Sequence, residues 1–389
     1  MRITRRESLG LAIGLGVGAC APGTVLEANT SEADESLNAL ARRSGRRFGS
    51  SVAAGRPGTL TGSLADPNYR ALLTGQCGLI VPENELKWGW IRRTRQSFDF
   101  APADRLFAFA EENQLAIRGH TLVWHHPNWF PAWVAEYDFG SNPRAEAERM
   151  IAEHVGNVCR RYGTRIHSYD VVNEAVHNQT GAMRETAFSR AMGGAERVLD
   201  LAFHTARETA PQAQLVYNDY MSWEPWSAAH RDGVLRLLEG FKRRGIQVDA
   251  LGVQAHIGTA NIDSGSGFGE RQEQEWRRFL DAVVGMGYDL IITELDVHDK
   301  GLPAGIAERD GAVADLARVY LDLMLSYRQL GDIMVWGMSD RYSWLRGRSP
   351  RSDGIAKRPC PYDEDFRPKP LREAIAAALR NATVRNHRA

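Results

Sequence analysis

The feature of this sequence that most constrains its fold is a regular alternation of short apolar runs with segments of helical periodicity. In Gly194–Thr209, for example, apolar side chains recur at steps of three and four, and Pro211 follows to end the helix. Alternating strands and helices favour a parallel sheet, and eight repeats predict a single (β/α)8 TIM barrel of the α/β class. The eight predicted strands are Phe48–Val52, Leu79–Glu85, Ala116–Trp124, Ile166–Glu174, Leu215–Tyr220, Ala250–His256, Leu290–Val297 and Ile333–Asp340.

The predicted strands begin with apolar residues and end with polar or aromatic ones. The ends read PENELKW, HTLVWHH, VNE, YNDY, QAH, TELDVH and WGMSD. In a barrel of parallel strands the C-terminal ends converge on one face, where ligands bind. A purely structural role would scatter such residues over both ends of the strands, so the pattern predicts a functional site at this face.

Two glutamates stand at the ends of these strands, Glu174 on the fourth and Glu294 on the seventh. Glycosidic cleavage needs two carboxyl groups, one to protonate the leaving oxygen and one to attack, or to activate water, on the opposite face of the sugar. Asn173 is suited to bond a sugar hydroxyl. We expect His256 to keep Glu294 ionised and Asp296 to orient that histidine, although a packed core histidine is the alternative.

The composition suits an uncharged substrate. The 389 residues include 48 basic and 48 acidic side chains, and this balance argues against a nucleic-acid partner. Ten tryptophans offer flat faces for sugars, although most tryptophans in proteins belong to the core. His125 and His126 are adjacent and so face opposite sides of a strand, and no metal site and no cofactor are predicted.

Residues 1–35 are expected to be an export signal and a short linker, followed by the barrel at 36–380 and a tail at 381–389. Arg5 and Arg6 precede a glycine-rich apolar run, Leu9 to Ala19, and the pair with this run resembles a twin-arginine signal. The run is too short to span a bilayer. The residues around Cys20 fit either a small-residue cleavage site or a lipoprotein box that would anchor a lipidated Cys20 to a membrane. Either way we expect a periplasmic, secreted or outer-surface protein.

Seven motifs, found in order, resemble the xylanases of glycoside hydrolase family 10. They are PENELKW at 82–88, RGHTLVWH at 118–125, YDVVNE at 169–174, YNDY at 217–220, DALGVQAH at 249–256, ITELDV at 292–297 and WGMSD…SW at 336–344. The resemblance covers roughly residues 40 to 380. It implies a retaining endo-1,4-β-xylanase acting on xylan and xylo-oligosaccharides, with its two carboxyl groups about 5–5.5 Å apart. We expect a monomer.

The resemblance also implies roles for individual residues. Glu174 is the implied acid/base, with a raised pKa, and Glu294 the implied nucleophile, with a lowered one. The implied substrate-binding residues are Glu83, Asn84 and Lys87 on the glycone side, His120, Trp124, Asn173, Gln254 and His256 at the sugar next to the scissile bond, Trp336 and Trp344 as its roof, and Tyr217 near the leaving-group side.

The chain departs from the family pattern in three places. Gly89 stands where an acidic residue is usual, residues 126–133 lack a glutamine and look two residues longer, and residues 221–226 are unusually aromatic. Trp129, Trp223 and Trp226 in these loops are either added sugar platforms or loop anchors. A cleft cramped by residues 126–133 would favour short substrates.

Three alternative functions stay open from the sequence. The first is activity on other β-1,4-glucans or on short xylo-oligosaccharides, and the second is a non-catalytic sugar-binding barrel on a cell surface. The third is a cellulase-like barrel of another family. The presence of Glu174, Glu294 and His256 argues against mere binding, and the PENELKW and QAH motifs argue against the cellulase.

Overall fold

The computed structural model describes residues 35–56, 59, 61–259, 270–348 and 350–385. The predicted export signal, with Arg5, Arg6 and Cys20, lies outside the described residues and stays a prediction. Among the helices of the described residues, none has both the length and the apolar character needed to cross a membrane.

A closed barrel of parallel strands forms the centre of the fold. The strands of the described residues are β1 (Phe48–Val52), β2 (Leu79–Pro82), β3 (Ala116–Trp124), β4 (Ile166–Asn173), β5 (Gln214–Asp219), β6 (Ala250–Val253), β7 (His256–Gly258), β8 (Asp289–His298) and β9 (Leu330–Val335). They pair in the order β6-β5-β4-β3-β2-β1-β9-β8-β7, and β6 also pairs with β8, which closes the ring. β6 and β7 are two halves of one barrel strand, interrupted at Gln254 and Ala255, where Ala255 has a φ of 61°. The predicted eight-stranded barrel is therefore confirmed.

Helices connect the strands. They are α1 (Leu37–Arg43), α2 (Pro67–Gln76), α3 (Trp88–Ile91), α4 (Ala101–Glu112), α5 (Ala132–Ala135), α6 (Pro143–Tyr162), α7 (Ala187–Met192), α8 (Ala195–Thr209), α9 (Ala228–Arg244), α10 (Glu270–Gly285), α11 (Ile306–Leu325), α12 (Leu345–Arg348) and α13 (Pro370–Arg380). The segment predicted from its periodicity is α8, and Val198, Leu199 and Ala202 are buried on its inner face. That face packs against α6 and β4.

The barrel strands are buried on both faces, which is why they read as continuous apolar runs in the sequence. The main differences from prediction lie at the C-terminal ends of strands. The second strand ends at Pro82 and the last at Val335, so PENELKW and WGMSD run on into loops. Proline has no N–H to continue a ladder, and the polar residues that follow are free to turn toward the barrel mouth.

Candidate active site

The two glutamates of the predicted site lie on opposite sides of the barrel mouth's centre, on strands four and seven of the ring. Glu174 directly follows β4 with a φ of 54°, and its N–H donates to the carbonyl of Asn218 at 2.9 Å. Glu294 lies within β8 and is only 5% exposed. The positive φ of Glu174 and the strand backbone of Glu294 therefore fix the direction in which each side chain leaves the main chain.

A chain of side-chain amides joins the two carboxyl groups. Nδ2 of Asn218 donates to Oε1 of Glu294 and to Oδ1 of Asn173, each at 2.9 Å. Nε2 of Gln254 donates to the same Oδ1 of Asn173 at 3.2 Å and to Oε1 of Glu174 at 3.0 Å. The structure thus brings Asn173, Gln254 and both predicted catalytic residues into one hydrogen-bonded unit.

On the nucleophile side, a histidine lies between two carboxylates. Nε2 of His256 is 3.3 Å from Oε2 of Glu294, and Nδ1 is 2.9 Å from Oδ1 of Asp296. Nε1 of Trp344 donates to the other oxygen of Asp296 at 2.7 Å. Burial alone would lower the pKa of His256, but the negative charges of Asp296 and Glu294 raise it to about 10. Burial would also raise the pKa of Glu294, but the hydrogen bond of His256 and the charges of His120 and His256 bring it below its ordinary value.

On the other side, the two donors that bond the Glu174 carboxyl group among the described residues are neutral. Nε1 of Trp124 donates to its Oε2 at 3.0 Å, and Gln254 bonds the other oxygen. Burial raises the pKa of Glu174, the negative charges of Asp219 and Glu294 raise it further, and the two hydrogen bonds only partly oppose this. The two carboxyl groups therefore have pKa values shifted in opposite directions.

The predicted glycone cluster lies next to this pair. Nζ of Lys87 donates to Oδ1 of Asn84 at 3.0 Å and lies 5.0 Å from the centre of the Trp124 ring. Burial lowers the pKa of Lys87, while the charges of Glu83, Glu294 and Glu174 act against that shift. Burial raises the pKa of Glu83 to about 7, with Lys87 opposing. The pKa of the Lys87 ammonium group therefore depends on carboxyl groups of the glycone cluster and of the catalytic pair.

The predicted wall of the sugar position is held from behind by a buried ion pair. Nδ1 of His120 is 2.9 Å from Oδ2 of Asp170, and Nη1 of Arg118 donates to the same oxygen at 2.6 Å. The ring of Trp336 meets the His120 ring edge-on, with centroids 5.3 Å apart. Trp336 is 7% exposed, so only part of its ring remains for a ligand.

The prediction that Tyr217 lines the leaving-group side is wrong. Its side chain is completely buried, its hydroxyl donates to the Asp219 carboxylate, and that hydroxyl accepts the N–H of Ala175 at 3.2 Å. Tyr217 therefore anchors the backbone just after Glu174. Tyr220, three residues later, is half-buried, and its hydroxyl accepts a bond from Nη2 of Arg184 at 2.7 Å.

The aromatic loops divide between the two readings that the sequence left open. Trp223 is 2% exposed and packs edge-on against Tyr320 at 4.8 Å, so it is a loop anchor. Trp226 is 57% exposed. Trp129 stacks on Trp124, with ring centres 4.7 Å apart and planes inclined by 19°.

Sequence reasoning missed Asn218, Thr293, Asp219 and Arg184. Oγ1 of Thr293 donates to Oδ1 of Asn218 at 2.7 Å, which turns the amide nitrogen of Asn218 toward Glu294. A signal existed, because Asn218 is a polar residue inside the predicted strand Leu215–Tyr220 and faces away from Tyr217. In the described part of the chain, no group of three or more His, Cys, Asp or Glu side chains is arranged to hold a metal ion.

Comparisons with known proteins point to one family. The family model described as Glycosyl hydrolase family 10 matches residues 36–378. Endo-1,4-beta-xylanase 5 of Pyricularia oryzae is 30% identical over 384 residues, covering 95% of this chain and 86% of the relative. The crystal structure of xylanase 10B from Thermotoga maritima is 28% identical, with a TM-score of 0.76 over 89% of this chain and 98% of that one. Xylanase 10B from Thermotoga petrophila, solved in complex with xylobiose, matches with the same identity and TM-score over 89% of this chain and 97% of its own.

Proposed function

Because the chain belongs to glycosyl hydrolase family 10 and is thus a glycoside hydrolase, we propose that it cleaves internal β-1,4 bonds of xylan, with Glu294 as nucleophile and Glu174 as acid/base. One observation carries the two roles. The carboxyl groups are joined through amides, yet the pKa of Glu174 is raised and that of Glu294 lowered. Retaining hydrolysis starts from one protonated and one ionised carboxyl group.

The reaction follows from this pair of charge states. The Glu294 carboxylate attacks the anomeric carbon while Glu174 gives its proton to the departing glycosidic oxygen, so one C–O bond forms as the other breaks. The covalent ester removes the negative charge of Glu294, which is one cause of the raised pKa of Glu174. Glu174 then accepts a proton from water while the water oxygen bonds the anomeric carbon and the ester bond to Glu294 breaks. The sugar leaves with its original anomeric configuration.

The surrounding side chains are suited to hold the sugar. Oδ1 of Asn173 accepts bonds from Asn218 and Gln254, whereas its buried Nδ2 has no partner among the described residues. A buried donor without a partner costs about 1–3 kcal/mol, and a sugar hydroxyl would satisfy it. Lys87 and Asn84 would bond the next sugar on the glycone side, and Trp336 and Trp344 would cover the sugar at the cleaved bond.

The test measures the release of reducing sugar from linear xylan by the wild type, Glu294→Ala, Glu174→Ala and a matched control, Glu148→Ala, at a half-buried glutamate of α6 that pairs with Arg144. We expect the control to match the wild type and both site variants to lose nearly all activity. NMR of the first product should show the β-anomer. Equal rates for wild type and Glu294→Ala, or an α-anomer formed first, would refute the assignment.

We also propose that the protein is exported, and that it acts outside the cytoplasm as a monomer. Support for export comes from the Arg5-Arg6 pair and the apolar run behind it. Cell fractionation of the wild type and of the double variant Arg5→Lys, Arg6→Lys tests it, because a twin-arginine route predicts that the variant stays in the cytoplasm. Labelling with a radioactive fatty acid, compared with Cys20→Ser, tests lipidation separately.

A further inference from the structure

Arg348 lies between tryptophans that belong to opposite sides of the cleft. Its guanidinium carbon is 4.9 Å from the ring centre of Trp129 and 5.8 Å from that of Trp344. Trp129 stacks on Trp124, which bonds the acid/base, whereas Trp344 bonds Asp296 behind the nucleophile. The guanidinium group is therefore positioned at the mouth above the cleaved bond, and ring contacts on two sides limit where it can move.

In the part of the chain that the structure describes, no carboxylate pairs with Arg348. Arg348 is exposed, and within the described residues its side-chain contacts are with rings and not with a carboxylate. The contrast with Arg346, two residues earlier, is direct, because Arg346 forms an ion pair with Glu364 at 3.0 Å. An arginine of the same short helix, α12, thus has a carboxylate partner, whereas Arg348 contacts the two cleft tryptophans instead.

A second arginine on the acid/base side is also without a carboxylate partner in the described part of the chain. Nε of Arg184 donates to the main-chain carbonyl of Glu174 at 3.1 Å, and Nη2 donates to the hydroxyl of Tyr220 at 2.7 Å. Both acceptors are neutral oxygens. The nearest acidic neighbour of Tyr220 along the chain, Asp219, already faces His230 at 3.0 Å and accepts the Tyr217 hydroxyl.

His126 shows that the two arginines share one rim. Burial lowers its pKa, and the positive charges of Arg184, Arg348 and His177 lower it further, to about 4. His126 is therefore neutral at neutral pH and adds no charge of its own. It lies close to Trp129, with ring centroids 6.2 Å apart. The rim at this side of the cleft thus combines an aromatic ring with two uncompensated guanidinium groups.

We propose that Arg348, Arg184 and the ring of Trp129 form a subsite for a uronic acid branch on the xylan residue beside the cleaved bond. The inference rests on the proposed function. Linear xylan is uncharged and offers no anionic group to the two guanidinium groups, whereas a uronic acid carries a carboxylate. A guanidinium group can bond a carboxylate through two parallel N–H donors. Stacking on an aromatic face holds the plane of the guanidinium group in one orientation. The protein's net charge is zero, so the attraction is local to this rim.

The test compares two xylo-oligosaccharides that differ at one group. One carries a glucuronic acid branch, and in the other the same branch has been reduced from carboxylate to alcohol. The readout is the ratio of kcat/KM for the acidic substrate to kcat/KM for the reduced one, which cancels any general effect on catalysis. For the wild type at low salt we expect a ratio of about 10, falling several-fold in 0.5 M salt because these exposed charges are screened.

Arg348→Gln should bring the ratio close to 1, and Arg348→Lys should restore only part of it because an ammonium group lacks the two-pronged donor geometry. Arg346→Gln is the matched control on the same helix, α12, and it should keep the wild-type ratio. Arg184→Gln should also lower the ratio, together with kcat, because its side chain holds the Glu174 backbone.

A wild-type ratio near 1, or a ratio that Arg348→Gln leaves unchanged, would overturn the proposed subsite while leaving the proposed function intact if linear xylan is still cleaved. A wild-type protein that cleaves no xylan would overturn both. An Arg346→Gln ratio as low as that of Arg348→Gln would show a general electrostatic effect of the α12 arginines and would likewise overturn the assignment to Arg348.

Discussion

The nucleophile side and the acid/base side of the cleft differ chiefly in the charge of their hydrogen-bond donors. Glu294 receives its bonds from the amide of Asn218 and from His256, whose pKa of about 10 makes it a cation. Glu174 receives its bonds from an indole and an amide, both neutral. Burial pushes the pKa of both glutamates upward, and only on the side with the cation is that push overcome.

The difference shows how one residue type can fill two chemical roles within one cleft. A hydrogen bond from a charged donor is roughly twice as strong as a neutral one, and a nearby opposite charge lowers a carboxyl pKa by about 1–3 pH units. The hydrogen bond of His256, itself fixed by Asp296 and Trp344, is therefore the largest single cause that lowers the pKa of Glu294. On the other side Arg184 donates to the backbone carbonyl of Glu174 and not to its carboxyl group, so it does not offset the raised pKa of Glu174 through a hydrogen bond.

The largest effect should come from removing each carboxyl group in turn. We expect Glu294→Ala to lose about 10⁴-fold or more of kcat on every substrate, because no other group can form the glycosyl ester. Glu174→Ala should lose about 10²–10⁴-fold on xylan but much less on the first turnover of an aryl xylobioside, whose leaving group departs without a proton. Azide should then accelerate Glu174→Ala by attacking the trapped intermediate.

Burst kinetics on the aryl substrate make this comparison, with Glu148→Ala as the control. Two outcomes would contradict these roles. One is a Glu294→Ala variant that still forms the glycosyl ester and is accelerated by azide. The other is a Glu174→Ala variant that loses as much kcat on the aryl substrate as on xylan.

Removing the positive charge of His256 should reduce the difference in pKa between Glu294 and Glu174. His256→Gln keeps a donor near Glu294 but removes the charge, so the pKa of Glu294 should rise. Because Glu294 must be ionised to attack, the acidic limb of kcat/KM should move upward by about 1–3 pH units. The pH profile of the variant measures this, with His167→Gln, near the opposite end of β4, as the control. An acidic limb that stays in place would mean that His256 does not set the charge of Glu294.

The barrel and the catalytic pair were predictable because both depend on local pattern. Apolar runs specify buried strands, and polar residues at their C-terminal ends lie at the face where ligands bind. The failures came from strand alternation that was not applied and from long-range packing. Tyr217 looked like a ligand-facing ring, but strand alternation turns it away from the mouth and buries it, and Asn218 takes the inward position. The polar residue inside the strand was a signal for that choice. The contact of Arg348 with Trp129 left no such signal, because it joins residues more than 200 positions apart in the chain.

A histidine on the acid/base side should behave in the opposite way to His256. His125 is fully buried, it donates from Nε2 to the carbonyl of Arg184 at 3.1 Å, and burial lowers its pKa to about 4. The unfolded chain, with a histidine pKa of about 6.5, binds this proton first as the pH falls. Stability is therefore lost between about pH 6.5 and 4, by about 2–3 kcal/mol for this residue.

Denaturant unfolding at pH 7 and pH 4.5 tests this, comparing the wild type with His125→Gln. The variant, which cannot titrate, should lose less free energy of unfolding between the two pH values. His204→Gln, at an exposed position of α8, should lose as much as the wild type. An equal loss in His125→Gln would mean that His125 is protonated in the folded protein.

The smallest effect should come from weakening a neutral donor on the acid/base side. Trp124→Phe removes the Nε1 bond to Glu174 but keeps an aromatic ring against Trp129. That bond opposes the raised pKa of Glu174, so its loss should raise the pKa further and move the basic limb of kcat/KM upward. A neutral hydrogen bond contributes about 0.5–1.5 kcal/mol, so the shift should stay below about 1 pH unit, smaller than that for His256→Gln. Because donor charge sets the size of each shift, a basic limb that moved as far as the acidic limb does in His256→Gln would contradict the comparison of the two sides.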